Sequence, residues 1–234
     1  MIPQERLIVI TGHYGSGKTE LAVNLAFSLA AEGKRAAIAD LDLVNPYFCT
    51  RERAKELEAS GVRVVLPTGG TAQDLPSISP AVSGLILDES LSSVLDIGGD
   101  PAGATVLKRF APELNRRAHA VWMVLNANRP ETAEPAAALR YLQEIEERAG
   151  RRITGLVNNT HLLGETGEDD ILRGAALAEE VARLSGVPFL FSSVERGLAA
   201  RLQGKAGTVF PLKITMNKPW ECWEETADGR KSYV

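Results

Sequence analysis

Along the chain, short runs rich in Val, Ile and Leu alternate with longer stretches whose apolar positions recur at helical spacing. That alternation marks strands buried on both faces of a parallel sheet, with helices packed above and below. The runs predict strands over 6–11, 35–40, 62–67, 92–97, 120–127, 152–158 and 187–192. The intervening stretches predict helices over 18–32, 50–60, 102–117, 131–149, 168–185 and 194–203. Gly33, Gly61, Gly150 and Gly186 each follow a helical stretch, where a left-handed cap turns the chain toward the next strand. Residues 68–82 read as a proline-broken connection whose later part forms a further short helix. The expected fold is α/β, a doubly wound, mostly parallel sheet with helices on both faces in three layers. No linker or internal repeat interrupts it, so residues 1–234 read as a single domain. The stretch from about 207 to 234 departs from the alternation and reads as a C-terminal extension, an edge strand followed by a loose tail.

Composition narrows the picture. A chain of 234 residues, 44% apolar, buries a full core without staples. A net charge of −4 gives no electrostatic case for nucleic acid or an anionic membrane surface, and neither partner is expected. Cys49 and Cys222 are far apart and lack C-x-x-C spacing, so neither a disulfide framework nor a zinc site is signalled. The N-terminal MIPQERLIVITG runs straight into a strand without signal-peptide features, and no apolar run is long enough for a bilayer. A cytoplasmic location is the expectation.

The chemistry begins where the first strand ends. GHYGSGKT, residues 12–19, fits G-x-x-x-x-G-K-[ST] and lies between a hydrophobic strand and an amphipathic helix. In such a loop, glycines let backbone N–H groups point inward and cradle phosphate oxygens against a helix N-terminus. Gly12, His13, Tyr14, Gly15, Ser16, Gly17, Lys18 and Thr19 are therefore candidate nucleotide-binding residues. Lys18 is expected on the β- and γ-phosphates, and Thr19 is expected to offer its hydroxyl to Mg²⁺. Two carboxylate clusters follow later strands, and open α/β sheets bind ligands at the carboxyl ends of their strands. ADLDLVNPYF places Asp40 and Asp42 two residues apart, on one face if extended. DIGGDPAG places Asp96 as a Mg²⁺ carboxylate, with Gly99 close enough to meet a γ-phosphate through its backbone N–H.

These residues resemble the MinD/ParA, CobQ/CobB-like branch of P-loop NTPases, the SIMIBI class that includes the nitrogenase iron protein, Mrp/ApbC-type carriers and ArsA. The likeness runs from the phosphate loop to about residue 195. It rests on Gly15, Gly17, Lys18 and Thr19, on Asp42 in the water-activating position, and on Asp96, Gly99 and Asp100 as a D-x-x-G switch. The resemblance implies Mg²⁺ held by Thr19, Asp42 and Asp96, and catalysis by Lys18 and Asp42. Asn159, in VNNTH, resembles the asparagine that contacts adenine in this group, with Asn158 the less favoured neighbour; no N-K-x-D guanine motif is present. ATP is accordingly the expected nucleotide. One departure is that the lysine reaching across an ATP-bound dimer in this group falls at His13 here. The cysteines do not form the pattern of the iron–sulfur carriers, and the C-terminus lacks a membrane-targeting amphipathic helix.

Two functions follow from the resemblance. The leading expectation is a Mg²⁺-dependent ATP-binding protein, a slow ATPase that switches affinity for an unknown protein partner by ordering segments 42–52 and 96–105, with a nucleotide-dependent homodimer implied. The alternative is an ATP-dependent small-molecule kinase or ligase of the CobB or dethiobiotin-synthetase kind, with residues 45–53 or 67–74 lining a pocket for the acceptor and Arg51 and Arg53 holding it. A binding-only adaptor is the third possibility. The acid set at Asp42 and Asp96 argues against it.

Overall fold

The computed structural model describes residues 5–42, 50–68, 78–216, 223–225 and 231–233. Its first strand, β1 (Leu7–Gly12), shows how the core is divided. Leu7 and Val9 enter one hydrophobic cluster, whereas Ile8 and Ile10 enter a second on the opposite side. Alternate side chains point to opposite faces of a strand, so a continuous apolar run needs cover on both. The cover on one face is α1 (Lys18–Ala31), with Leu21, Leu25 and Leu29 buried, together with α2 (Ala54–Ala59). The other face is covered by α3 (Ala81–Leu87), α7 (Pro135–Ala149) and α8 (Glu168–Ser185).

The remaining strands are β2 (Ala36–Leu41), β3 (Arg63–Val65), β4 (Ser92–Ile97), β5 (Ala120–Leu125), β6 (Gly155–Asn158), β7 (Phe189–Glu195) and β8 (Val209–Leu212). They pair in the order β3-β2-β4-β1-β5-β6-β7-β8, and every neighbouring pair is parallel. The α/β three-layer expectation is thus met, with β1 flanked by β4 and β5. The chain builds outward on one side of β1 and then returns to build on the other, so the loop after β1 sits at the crossover. The four glycines expected as helix caps, Gly33, Gly61, Gly150 and Gly186, all have positive φ. A separate antiparallel pair, β9 (Trp223–Glu225) and β10 (Lys231–Tyr233), follows β8.

Proline accounts for two of the departures from the expected helices. The stretch 102–117 is three short helices, α4 (Pro101–Ala104), α5 (Val106–Arg109) and α6 (Ala111–Leu114). Pro112 cannot donate the N–H that would continue α5, and its ring crowds the carbonyl one turn back, so the helix restarts with proline in its first turn. The helix expected over 131–149 begins at Pro135, because the preceding Glu134 is held extended (φ −113, ψ 143). Pro130–Thr132 forms a separate 3₁₀ turn. After β7, α9 (Arg196–Leu202) starts two residues later than expected because the strand runs on to Glu195.

Candidate functional site

The loop after β1 is shaped by glycine at three points. Gly12 (φ 140) lies flat against β5, where a Cβ would strike the backbone of Val124. Gly15 and Gly17 adopt left-handed φ of 73 and 79, a conformation that other residues resist. Gly17 then serves as the cap from which α1 starts, so the loop runs directly into a helix N-terminus. Ser16 is fully buried, and its N–H bonds the carbonyl of His13 to close the turn. Tyr14, by contrast, is 54% exposed at the loop tip.

Lys18 is only 6% exposed, and its Nζ donates to the His13 carbonyl at 3.0 Å. Burial lowers its pKa, opposed by the negative charges of Asp96, Asp42 and Asp100. Thr19 hydrogen-bonds the Asp96 carboxylate, which is 1% exposed. Asp96 and Asp40 are register partners on adjacent strands β4 and β2, which brings two buried carboxylates side by side. Burial chiefly, and then the charge of Asp40, raises the pKa of Asp96. Asp40 is itself raised to about 6, mainly by burial, although its Oδ1 accepts the N–H of Asp42 at 3.0 Å. Asp42 stands just past the end of β2, lines the cavity beside the loop, and lies 3.3 Å from the Cβ position of Gly98. Gly99 presses on the phosphate loop, since a Cβ there would meet Lys18 Nζ at 2.6 Å and the Tyr14 backbone at 2.8 Å.

His13 approaches Glu131 at 3.5 Å, meets the ring of Tyr141 edge-on, and donates from Nδ1 to the Tyr14 carbonyl, 2.7 Å away. The Tyr141 hydroxyl donates to the Gly99 carbonyl at 3.0 Å, which ties α7 to the segment after β4. The two neighbouring asparagines at the end of β6 separate clearly. Asn159 lines the cavity, donates to the Ser16 carbonyl at 2.7 Å and accepts from Ser193 Oγ at 2.6 Å. Asn158 turns inward and donates to the Ile171 carbonyl and Ser192 Oγ.

The cavity itself, about 290 Å³, extends from Lys18 and Asp42 past Asn159 to an apolar end walled by Leu163, Ile171, Val194, Leu212, Ile214 and Met216. Glu195 also lines it. Its far wall is fastened to α1, where Asn24 exchanges two hydrogen bonds with the backbone of Lys213 and Glu20 accepts the N–H groups of Thr215 and Met216. Sequence reasoning missed four participants. Asn126 and Arg129, after β5, both donate to the Gly15 carbonyl; His161 lines the cavity beside Gly17; and Glu20 holds the wall. Asn126 and Arg129 could have been found by the strand-end rule that singled out Asp42 and Asp96.

Several expectations fall outside the described residues. These are Cys49, Cys222, most of the proposed acceptor segment 45–53, nearly all of segment 67–74 and part of the 42–52 switch. Arg53 is described and pairs with Glu56 at 2.8 Å. Among the described residues, no three His, Cys, Asp or Glu side chains converge as a metal-ligand set, and no helix is long and apolar enough to cross a membrane.

Comparison with known proteins agrees with this fold. Solved structures with the same fold include the cell division protein FtsY from Thermotoga maritima (19% identity, TM-score 0.53, covering 82% of this chain and 63% of that one). The 54 kDa signal recognition particle protein from Aeropyrum pernix K1, in complex with GDP, matches at 21% identity and TM-score 0.52, over 81% of this chain and 42% of that one. Chloroplast FtsY from Physcomitrella patens matches at 20% identity and TM-score 0.53, over 82% and 60%. The chain therefore spans less than two thirds of each, and likeness at this identity establishes the fold. No curated protein matches in sequence. The profile of the CobQ/CobB/MinD/ParA nucleotide binding domain matches residues 7–190. The chain belongs to that family, as a nucleotide-binding P-loop domain.

Proposed function

We propose that this protein binds ATP with Mg²⁺ and hydrolyses it slowly, as a switch that changes its affinity for a protein partner. The observation that carries this reading is the convergence of Lys18, Asp42, Asp96 and Gly99, from three strand ends, on one phosphate loop. A divalent cation fits the donor set, because Asp96 Oδ1 and Asp40 Oδ2 are buried without a hydrogen-bond partner among the described residues and Thr19 is bonded to Asp96. Thr19, Asp42 and Asp96 would hold it. Mg²⁺ takes few protein ligands and keeps several waters, which suits a site without a dedicated cage. When bound, it supplies neutralisation of phosphate charge.

The chain's own residues have distinct parts. Lys18 leaves the His13 carbonyl for the β- and γ-phosphates, where its charge offsets that developing on the transferred group. Asp42, at the mouth of the cavity, orients or deprotonates the attacking water. Gly99 senses the γ-phosphate, and the absence of a side chain permits the close approach already made to Lys18. Tyr141, bonded to the Gly99 carbonyl, relays that contact to α7. At the apolar end, Asn159 and the acceptor carboxylate of Glu195 suit the exocyclic amine of adenine. A cytoplasmic setting and a nucleotide-dependent homodimer belong to the same reading.

The test compares wild type with Asp42→Ala. Wild type should release phosphate from MgATP, with GTP a weaker competitor, and should gain mass in light scattering with a non-hydrolysable ATP analogue but not with ADP. Asp42→Ala should keep ATP affinity and lose turnover. Unchanged turnover in that variant would remove Asp42 from the mechanism, and ADP release dependent on an added small acceptor would move the reading to a kinase.

A further inference from the structure

Among the described residues, Arg117, Arg129 and Arg151 bond backbone carbonyls from buried or half-buried positions, and Arg117 and Arg129 differ in how many of their donors are engaged. Arg117 donates to five carbonyls, those of Leu85, Ile86, Asp88, Arg6 and Leu91, at 2.7–3.2 Å, with no carboxylate in its ion-pair range among the described residues. Both of its terminal nitrogens are committed to holding the chain. Arg129 makes one hydrogen bond, from Nε to the Gly15 carbonyl at 3.0 Å, and no carboxylate of the described residues lies within 4.0 Å of it. Its two terminal nitrogens therefore carry four N–H donors not engaged by the described residues. A half-buried guanidinium without an anion is costly unless a ligand supplies one.

The position of Arg129 says which ligand. It lines the same cavity as Lys18 and Thr19, and its Cζ and Nη2 are 2.7 Å from the Cβ position of Gly15. The carboxylates around Lys18 and Gly99 mark the γ end of the site, and the apolar wall beyond Asn159 marks the base end. Arg129 lies against Gly15 of the phosphate loop, and His161 lies beside Gly17, where α1 begins. In the structure as it stands, both loop-facing cations are stowed on loop carbonyls, Lys18 on His13 and Arg129 on Gly15.

Resting on the proposed nucleotide function, we infer that Arg129 is a second phosphate-binding cation that leaves the Gly15 carbonyl to clamp the α- and β-phosphates of the bound nucleotide. Arginine suits this role because its fork matches two phosphate oxygens at once. The residue is supplied within the chain, from the loop between β5 and α7. It also stabilises the diphosphate leaving group as charge builds on it during hydrolysis.

The experiment measures Kd for MgADP and for a non-hydrolysable MgATP analogue in wild type, Arg129→Ala, Arg129→Lys and Arg129→Gln, with the melting temperature of each protein without nucleotide. Arg129→Ala should weaken both nucleotides by roughly tenfold or more, in equal proportion, while melting within a few degrees of wild type. Lysine should restore part of the affinity, and glutamine, which can bond the Gly15 carbonyl but carries no charge, should restore none. Affinity within twofold of wild type in Arg129→Ala overturns the inference. So does rescue by glutamine as good as by lysine, which would make the residue a loop staple, or a loss confined to the triphosphate analogue, which would place it at the γ end. If wild type itself binds neither nucleotide, the proposed function fails first, and that result is distinguishable from all the others.

Discussion

At the N-terminal edge of the sheet, one buried guanidinium gathers the end of α3 and the starts of β1 and β4 by bonding five carbonyls. At the carboxyl edge, Ser16 Oγ, Asp40 Oδ2, Asp96 Oδ1 and His161 Nε2 are buried with no hydrogen-bond partner among the described residues, and two adjacent strands place carboxylates side by side. The strands are the same eight, so the difference arises from the loops. Burying an unpaired polar group costs stability, and an aspartate forced beside another aspartate costs more. Ser93 Oγ, near the N-terminal end of β4, is buried without a partner too, but a cluster of such groups around one loop suits a ligand that later satisfies them. The N-terminal edge holds the fold together, and the carboxyl edge gives up stability for binding.

The largest effect expected from this comparison is at Arg117. Replacing it with methionine keeps the apolar stem and leaves five carbonyls short of a donor, at a cost of about 3 kcal/mol or more. Chemical denaturation should show that loss, and the melting temperature should fall by roughly 10 °C for a domain of this size. MgADP affinity of the folded fraction should be unchanged. A loss of affinity alongside stability would mean that the two edges are not independent.

Lys18→Ala should show the reverse. Removing the cation that is stowed on the His13 carbonyl should lower ATP affinity by about 100-fold, the worth of one or two charge-assisted bonds to phosphate. Titration calorimetry measures this directly. The fold without nucleotide should persist, because the carbonyl that loses the lysine lies in a loop rather than in the sheet.

How far this division could be foreseen depends on whether a residue's role is local. The phosphate loop is written in eight consecutive residues, and Asp96 and Asp42 follow from the rule that strand ends carry the site. The apolar runs likewise place the strands, because both faces of a parallel sheet are covered and the runs stay continuous. Arg116 and Arg117 are identical neighbours in the sequence, yet one is exposed and the other buried, and only the packing of α3 against β1 and β4 separates them. Arg129 and Asn126 meet the Gly15 carbonyl because β5 lies beside β1, a strand order that periodicity does not encode. Asn159 differs from Asn158 through the alternation of side chains at the end of β6, which a sequence shows only once the strand end is known. The breaks at Pro112 and Pro135 were visible as prolines but outweighed by helical spacing on either side.

A smaller effect is expected from pH. Burial first, and then the charge of Arg129, lowers the pKa of His161 to about 4 from the usual 6.5. Between those values the unfolded chain binds a proton that the folded chain refuses, so the stability held above pH 6.5 is lost progressively down to pH 4. At pH 5 the loss is about 2 kcal/mol from this group alone. Asp40, raised to about 6, acts in the opposite sense, since its folded form keeps a proton that the unfolded chain gives up near pH 4. The clean measurement is therefore a difference. His161→Asn should gain about 2 kcal/mol relative to wild type when pH falls from 7.5 to 5. A constant difference across that range would show that His161 is not held neutral by the carboxyl edge.

Glu20 provides the finest test because it belongs to both sides of the comparison. It follows Thr19 in the first turn of α1, yet its carboxylate fastens the C-terminal segment. Oε1 accepts from Thr215 N–H at 2.8 Å, from the Thr215 hydroxyl at 2.5 Å and from Asn24 at 3.0 Å, and Oε2 accepts Met216 N–H at 3.0 Å. Leu212, Ile214 and Met216, carried on that segment, wall the apolar end of the cavity. Glutamine has the same shape but must turn an NH₂ toward one of those donors, so Glu20→Gln should cost about 1 kcal/mol of stability. A loosened wall should also weaken the base contact, lowering nucleotide affinity by roughly threefold, equally for ATP and ADP because the phosphates are untouched. Stability lost with affinity intact would make Glu20 a fastening of the N-terminal kind, placed at the carboxyl edge without serving the ligand.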